Sequence, residues 1–311
     1  MAAENAEIQI FRYWCVEAKC SLEYALYTPP GVTEEEEGVK VPRALIVLLH
    51  DKGSRPAEAL SYPGILSIAK DFNSSGCLVV APLGFDEHGW YGCCGDSAPQ
   101  HSGLLSESDV INVVGIVRKE YTVDDQRIYL MGLGMGGSGV LHLASKYSFL
   151  WAGAFAASAD VLAIQNVEPL EEVIKTMKVP VMLVHGANDP VVSSTSVRRW
   201  VEQMNRTDMT YKYLELEGIN KVHESGWDGL AKEAFGFFAK HNRSKGAPRI
   251  VRPSVFYEKS QKRASTQPQR MKKKKNLTTQ ELKLNSDIGV PYERTSTSTA
   301  EPEPESATCW V

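Results

Sequence analysis

Five short, predominantly apolar runs constrain the fold of this chain more than any other feature of its sequence. They are residues 43–50, 77–82, 127–132, 152–157 and 180–186. Strands that stay apolar without alternation are buried on both faces, as in a parallel sheet covered by helices. Longer segments lie between the runs, and one of them repeats valines at helical spacing. The sequence therefore predicts an α/β fold with a mostly parallel central sheet and helices on both faces.

Three further runs alternate apolar and polar residues, which is typical of strands at a sheet edge or exposed on one face. They are residues 7–13, 22–27 and 211–216. The first two predict an N-terminal antiparallel hairpin. Helices are predicted over residues 56–70, 107–120, 136–147, 194–205 and 227–241, and an exposed loop over residues 29–42.

The composition changes after Arg243. Residues 1–243 are predicted to form one α/β domain, and residues 244–311 a low-complexity tail that is disordered on its own. The tail is basic first and acidic later. Residues 245–275 hold eleven Lys and Arg against one acidic residue, and the segment ends in Lys272, Lys273, Lys274 and Lys275.

Two roles are open for this basic segment. It is either a flexible linker or localisation signal, or an anchor that binds a protein assembly or an acidic surface. Nucleic acid stays an alternative partner, although Phe256 and Tyr257 are too few for recognition by stacking.

The N-terminus carries no basic segment followed by an apolar one, and no run approaches the roughly 18 apolar residues of a membrane span. The six cysteines lack the CxxC spacing of zinc sites. We therefore expect a cytoplasmic protein with free thiols, no membrane span, no metal and no cofactor.

The segment after the third apolar run carries the chemical signal. Residues 132–136 read Gly-Leu-Gly-Met-Gly and lie between a predicted strand and a predicted helix. The strand–turn–helix motif G-x-S-x-G places a nucleophilic serine at its sharp central position. Here Gly134 occupies that position.

Two more residues follow in the chain order of an α/β-hydrolase triad, which is nucleophile, acid, histidine. Asp189 comes after the strand at 180–186, and His223 lies between the last strand and the last helix. With the segments 47–53, 108–110, 123–139, 185–192 and 222–227, they make residues 22–243 resemble the α/β-hydrolase superfamily. The similar branch contains polyhydroxybutyrate depolymerases, feruloyl esterases and phospholipase/carboxylesterase-like enzymes.

The resemblance implies a degenerate triad of Gly134, Asp189 and His223. It also implies an oxyanion hole built from backbone N–H groups after His50 and at Met135. The usual His-Gly of this segment is His50-Asp51 here, so a carboxylate is expected beside the place where negative charge would develop.

The sequence therefore predicts a catalytically inactive scaffold anchored by its tail, with two alternatives. One is an esterase with a rearranged site, which requires a substitute nucleophile such as Ser138, Cys93 or Cys94. The other is a sensor that binds a small ester-like ligand in a pocket enlarged at Gly134. Asp189 and His223 also have a purely structural interpretation, in which Asp189 closes the turn after its strand.

Overall fold

A computed structural model describes residues 8–30, 41–93, 100–165, 168–220, 222 and 226–243. The predicted tail and most of the loop at 29–42 lie outside these residues, so the domain boundary at residue 243 stays a prediction. Among the helices of the described ranges, none is both long and apolar enough to cross a membrane.

The described residues include one eight-stranded sheet in the order β1-β2-β4-β3-β5-β6-β7-β8. Its strands are β1 (Ile8–Cys15), β2 (Cys20–Tyr27), β3 (Arg43–Leu49), β4 (Cys77–Pro82), β5 (Val123–Leu133), β6 (Gly153–Ala157), β7 (Val181–Gly186) and β8 (Tyr211–Leu216). From β4 to β8 in this order all neighbours are parallel, whereas β2 runs antiparallel to β1 and β4. The prediction of a mostly parallel sheet with an N-terminal antiparallel hairpin is confirmed.

Eight α-helices cover the two faces of the sheet in the described part of the chain. They are α1 (Pro56–Leu60), α2 (Ile65–Asp71), α3 (Gln100–Glu120), α4 (Met135–Lys146), α5 (Val161–Gln165), α6 (Leu170–Thr176), α7 (Ser194–Met204) and α8 (Trp227–Phe238). One face packs on α3 to α7 and the other on α1, α2 and α8.

Strand β3 shows why the central runs are continuously apolar. Leu45, Val47 and Leu49 point to one core, whereas Ile46 and Leu48 point to the other. Successive side chains of a strand point to opposite faces, so a strand with helices on both sides needs apolar residues at every position.

Two local predictions are wrong. Strand β2 is neither an edge nor half-exposed at its end, because β1 pairs with its outer side and residues 24–27 are buried. The single helix predicted over 56–70 is two helices, since Pro63 cannot donate a backbone hydrogen bond and lies in the break between α1 and α2. The short helices α5 and α6 were not predicted.

Candidate active site at the carboxyl ends of β3, β5 and β7

The segment that joins β5 to α4 is a sharp turn. Gly134 has φ 56° and ψ −118°, a conformation that residues with a side chain adopt only under strain. Its N–H donates to the Ala157 carbonyl oxygen (2.9 Å), and its own carbonyl accepts from the Ser138 N–H (3.0 Å). The turn therefore has the strand–turn–helix form of a nucleophile elbow, with glycine at its centre.

Close packing brings this turn against the end of β3. A Cβ atom on Gly136 would lie 2.2 Å from the Leu49 carbonyl oxygen and 2.7 Å from that of His50. Leu49 and Gly132 are also register partners in the sheet. The missing side chain of Gly136 thus lets the first turn of α4 contact the loop that follows β3.

Asp51 lies on that loop, and its carboxylate reaches across to the elbow. Its Oδ1 atom accepts hydrogen bonds from the backbone N–H groups of Lys52 (2.7 Å) and Met135 (2.9 Å). A Cβ atom on Gly134 would lie only 2.1 Å from the same oxygen. The carboxylate therefore fills the volume that a side chain at position 134 would enter.

This geometry bears on two expectations. The resemblance placed Asp51 merely beside the oxyanion position, whereas Oδ1 is bound by the Met135 N–H assigned to the oxyanion hole. The pocket expected to be enlarged at Gly134 is not enlarged next to that residue, because the Asp51 carboxylate occupies the space.

His50 connects the loop after β3 to the loop after β4. Its imidazole is buried, with Nδ1 2.8 Å from the Asp51 carbonyl oxygen and Nε2 2.7 Å from that of Leu83. The loop after β4 is fixed in turn by Asp109, whose buried carboxylate accepts from the Gly84 N–H (2.6 Å). Burial raises the pKa of Asp109 to about 6.

Asp189 follows β7 at the same edge of the sheet. Its Oδ1 atom accepts from the N–H groups of Val191 (2.9 Å) and Val192 (3.0 Å), and Oδ2 lies 3.7 Å from Nε2 of His185. One carboxylate oxygen therefore closes the turn after the strand, which agrees with the structural interpretation of this residue. His223, its predicted partner, lies outside the described residues, so its role stays a prediction.

Comparisons with known proteins agree with this architecture. Residues 105–224 match the phospholipase/carboxylesterase family. NocK of Nocardia uniformis subsp. tsuyamanensis, an esterase by its name, is 27% identical over 173 residues, covering 54% of this chain and 45% of NocK. The matched region is thus less than half of that relative.

Two solved structures share the fold at low sequence identity. One is FphF, a fluorophosphonate-binding serine hydrolase of Staphylococcus aureus, with a TM-score of 0.61 at 14% identity, covering 75% of this chain and 98% of FphF. The other is the ferulic acid esterase AmCE1/Fae1A of Anaeromyces mucronatus, with a TM-score of 0.61 at 14% identity, covering 78% and 93%. The chain has the α/β-hydrolase fold. The predicted fold is confirmed.

Two of the three substitute nucleophiles considered for this chain are not supported by the geometry. The Ser138 hydroxyl is buried and bonded to the Asp160 backbone, at 3.1 Å from its oxygen and 2.8 Å from its nitrogen. Cys93 is fully buried, and Cys94 lies outside the described residues. Neither Ser138 nor Cys93 is exposed to a substrate.

The sequence indicated backbone N–H donors after His50, but it did not show that the Lys52 N–H donates to the Asp51 carboxylate. Its direction depends on the turn after β3, in which the Ser54 N–H donates to the Asp51 carbonyl oxygen (3.1 Å). The signal that could have revealed the contact is the paired change itself. The resemblance implies an acidic residue at the glycine position of the oxyanion segment and glycine at the serine position of the elbow.

Proposed function

We propose that this α/β-hydrolase superfamily member is catalytically inactive and serves as a scaffold or structural component of an assembly. The observation that carries the proposal is Gly134, which supplies no Oγ at the centre of the elbow. Removal of the serine from a serine hydrolase lowers kcat by about 10⁶ and leaves about 10³ to 10⁴ over water.

The two backbone N–H groups that donate to Asp51, those of Lys52 and Met135, support the same conclusion. Loss of one oxyanion-hole donor costs about 10² to 10³ in kcat. In this chain the Met135 and Lys52 N–H groups already donate to Asp51, so a substrate carbonyl oxygen has to displace a carboxylate to reach them. A serine hydrolase without its serine keeps a residual rate that comes from substrate binding and the oxyanion hole. In this chain we expect that residual rate to be lower still.

The native chain should resist a fluorophosphonate probe and hydrolyse p-nitrophenyl acetate and butyrate no faster than His223→Ala does. The physical reason is that neither protein has a nucleophile at the elbow for a histidine to activate. FphF, which binds fluorophosphonates, is the positive control. Labelling of any serine in the native chain, together with turnover that His223→Ala abolishes, would instead establish an esterase with a rearranged site.

The scaffold part of the proposal rests on the basic segment at 245–275, with ten net positive charges over 31 residues. Such a segment binds acidic surfaces by electrostatic attraction. Salt screens this attraction over a distance of about 10 Å at 0.1 M, and the distance becomes shorter at higher salt concentrations. The tail is thus proposed as an electrostatic anchor to an acidic protein surface.

On native size exclusion of cell extract, the chain should elute in an assembly at about 0.1 M salt and as a free protein at about 0.5 M. Replacing Lys272, Lys273, Lys274 and Lys275 by Gln should release part of it already at low salt. The matched control replaces Thr295, Ser296, Thr297 and Ser298 by Ala and should leave elution unchanged. Elution that changes with neither salt nor the Gln substitutions contradicts an anchoring role for the tail.

A further inference from the structure

We propose that the Asp51 carboxylate is the permanent, built-in anion of the oxyanion hole, so that Asp51 and Gly134 form one complementary pair. This inference deepens the proposed inactivity and rests on it. It adds that the site is closed by two mutually dependent changes, of which the absent serine is only one.

Two backbone donors converge on the Asp51 carboxylate. The N–H groups of Lys52 and Met135 donate to one and the same atom, Oδ1, at 2.7 and 2.9 Å. These are the distances of hydrogen bonds to a charged acceptor. Two backbone N–H groups directed at one negative oxygen are the arrangement that stabilises the oxyanion of acyl transfer.

The electrostatics of α4 favour an anion at the same place. Met135 is the first residue of this 12-residue helix, and its N–H is one of the groups that the helix itself leaves without a partner. The N-terminal end of a helix carries partial positive charge, which attracts an anion. Asp51 satisfies this N–H in the way that a substrate oxyanion would, and it does so without a substrate.

The volume beside Gly134 has room for only one group. The ideal Cβ position of Gly134 lies 2.1, 2.5 and 2.7 Å from the Oδ1, Cγ and Oδ2 atoms of Asp51. Real Cβ atoms essentially never show such distances, so a side chain at position 134 requires the Asp51 carboxylate to leave its present position. Asp51 cannot simply turn away at no cost, because its carboxylate would lose both N–H donors.

The backbone of Asp51 is itself fixed. Its carbonyl oxygen lies 2.8 Å from His50 Nδ1 and accepts from the Ser54 N–H at 3.1 Å. Because these contacts fix the backbone of Asp51, its short side chain starts from a fixed position, from which the carboxylate reaches the Met135 N–H. The pair is therefore a built feature of the loop after β3.

A double-mutant cycle on thermal stability tests the pair without reference to catalysis. Gly134→Ser should lower Tm by roughly 4–8 °C in the native background, because it displaces the carboxylate from its donors. In the Asp51→Gly background the same change should lower Tm by only about 2–4 °C, which is what about 1 kcal/mol of backbone strain produces in a domain of this size. Asp51→Asn is the matched control, since its amide keeps the volume and Gly134→Ser should remain destabilising there.

An equal loss of Tm from Gly134→Ser in the native and the Asp51→Gly backgrounds overturns the inference. If Gly134→Ser alone yields no folded protein, folding of the double variant supports the pair, and failure of both overturns it. The proposed inactivity fails separately, through probe labelling of the native chain, which this cycle does not measure.

Discussion

The double variant Asp51→Gly, Gly134→Ser should react with a fluorophosphonate probe at least about 10³ times faster than the native chain. Gly134→Ser supplies the missing Oγ at an elbow whose φ and ψ are already those of a sharp strand-to-helix turn. Asp51→Gly frees the Met135 and Lys52 N–H groups for the developing oxyanion. A serine is worth about 10⁶ in kcat and one such donor about 10² to 10³, so even partial recovery is measurable.

The single variants decide which of the two changes matters. Gly134→Ser alone should react at least about tenfold more slowly than the double variant, because the nearby carboxylate competes for both donors. Asp51→Gly alone should not react at all, since it has no nucleophile. Mass spectrometry should place the label on residue 134, and His223→Ala in the double variant should abolish it. Equal rates for Gly134→Ser and the double variant would show that Asp51 does not obstruct the site.

The sequence predicts the central strands well because a strand that is buried on both faces needs apolar residues at nearly every position. Nearly every position of a strand such as β3 is apolar, so the run itself locates the strand. Strand β2 is the exception. Its residues alternate between apolar and polar from Leu22 to Tyr24, which predicts partial exposure, but its carboxyl-terminal end is buried because β1 and β4 pair with it on either side. The residue pattern within one strand does not show which other strands pair with it.

The candidate site shows a similar division. The elbow and the place of Asp189 follow from strand ends, because carboxyl ends of parallel strands meet at one edge of the sheet. The direction of the Asp51 side chain does not follow. It depends on a contact of α4 with the β3 end, and that contact depends on Gly136 having no side chain. A motif gives only residue types, whereas the contact of the Asp51 carboxylate with the Met135 N–H depends on the distance between two separate segments.

Gly136→Ala should therefore lower the free energy of unfolding by at least about 3 kcal/mol. The added methyl group would meet the Leu49 carbonyl oxygen at 2.2 Å, and the neighbouring atoms are backbone of a central strand that cannot rotate away. Gly236→Ala is the matched control on α8, where nothing lies within 4 Å of the ideal Cβ position. In urea denaturation that control should gain up to about 1 kcal/mol, because alanine is the better helix former.

Both glycines lie inside helices, so the difference between the two variants isolates packing against β3 from helix propensity. A Gly136→Ala protein within about 1 kcal/mol of Gly236→Ala would mean that α4 can move off the β3 end at little cost. The Met135 N–H would then no longer be held beside Asp51, and its hydrogen bond to the carboxylate would form in only some of the conformations of the candidate site. A large difference instead means that the close contact which supports the sheet core also holds the Met135 N–H beside Asp51, so that this part of the candidate site is preorganised.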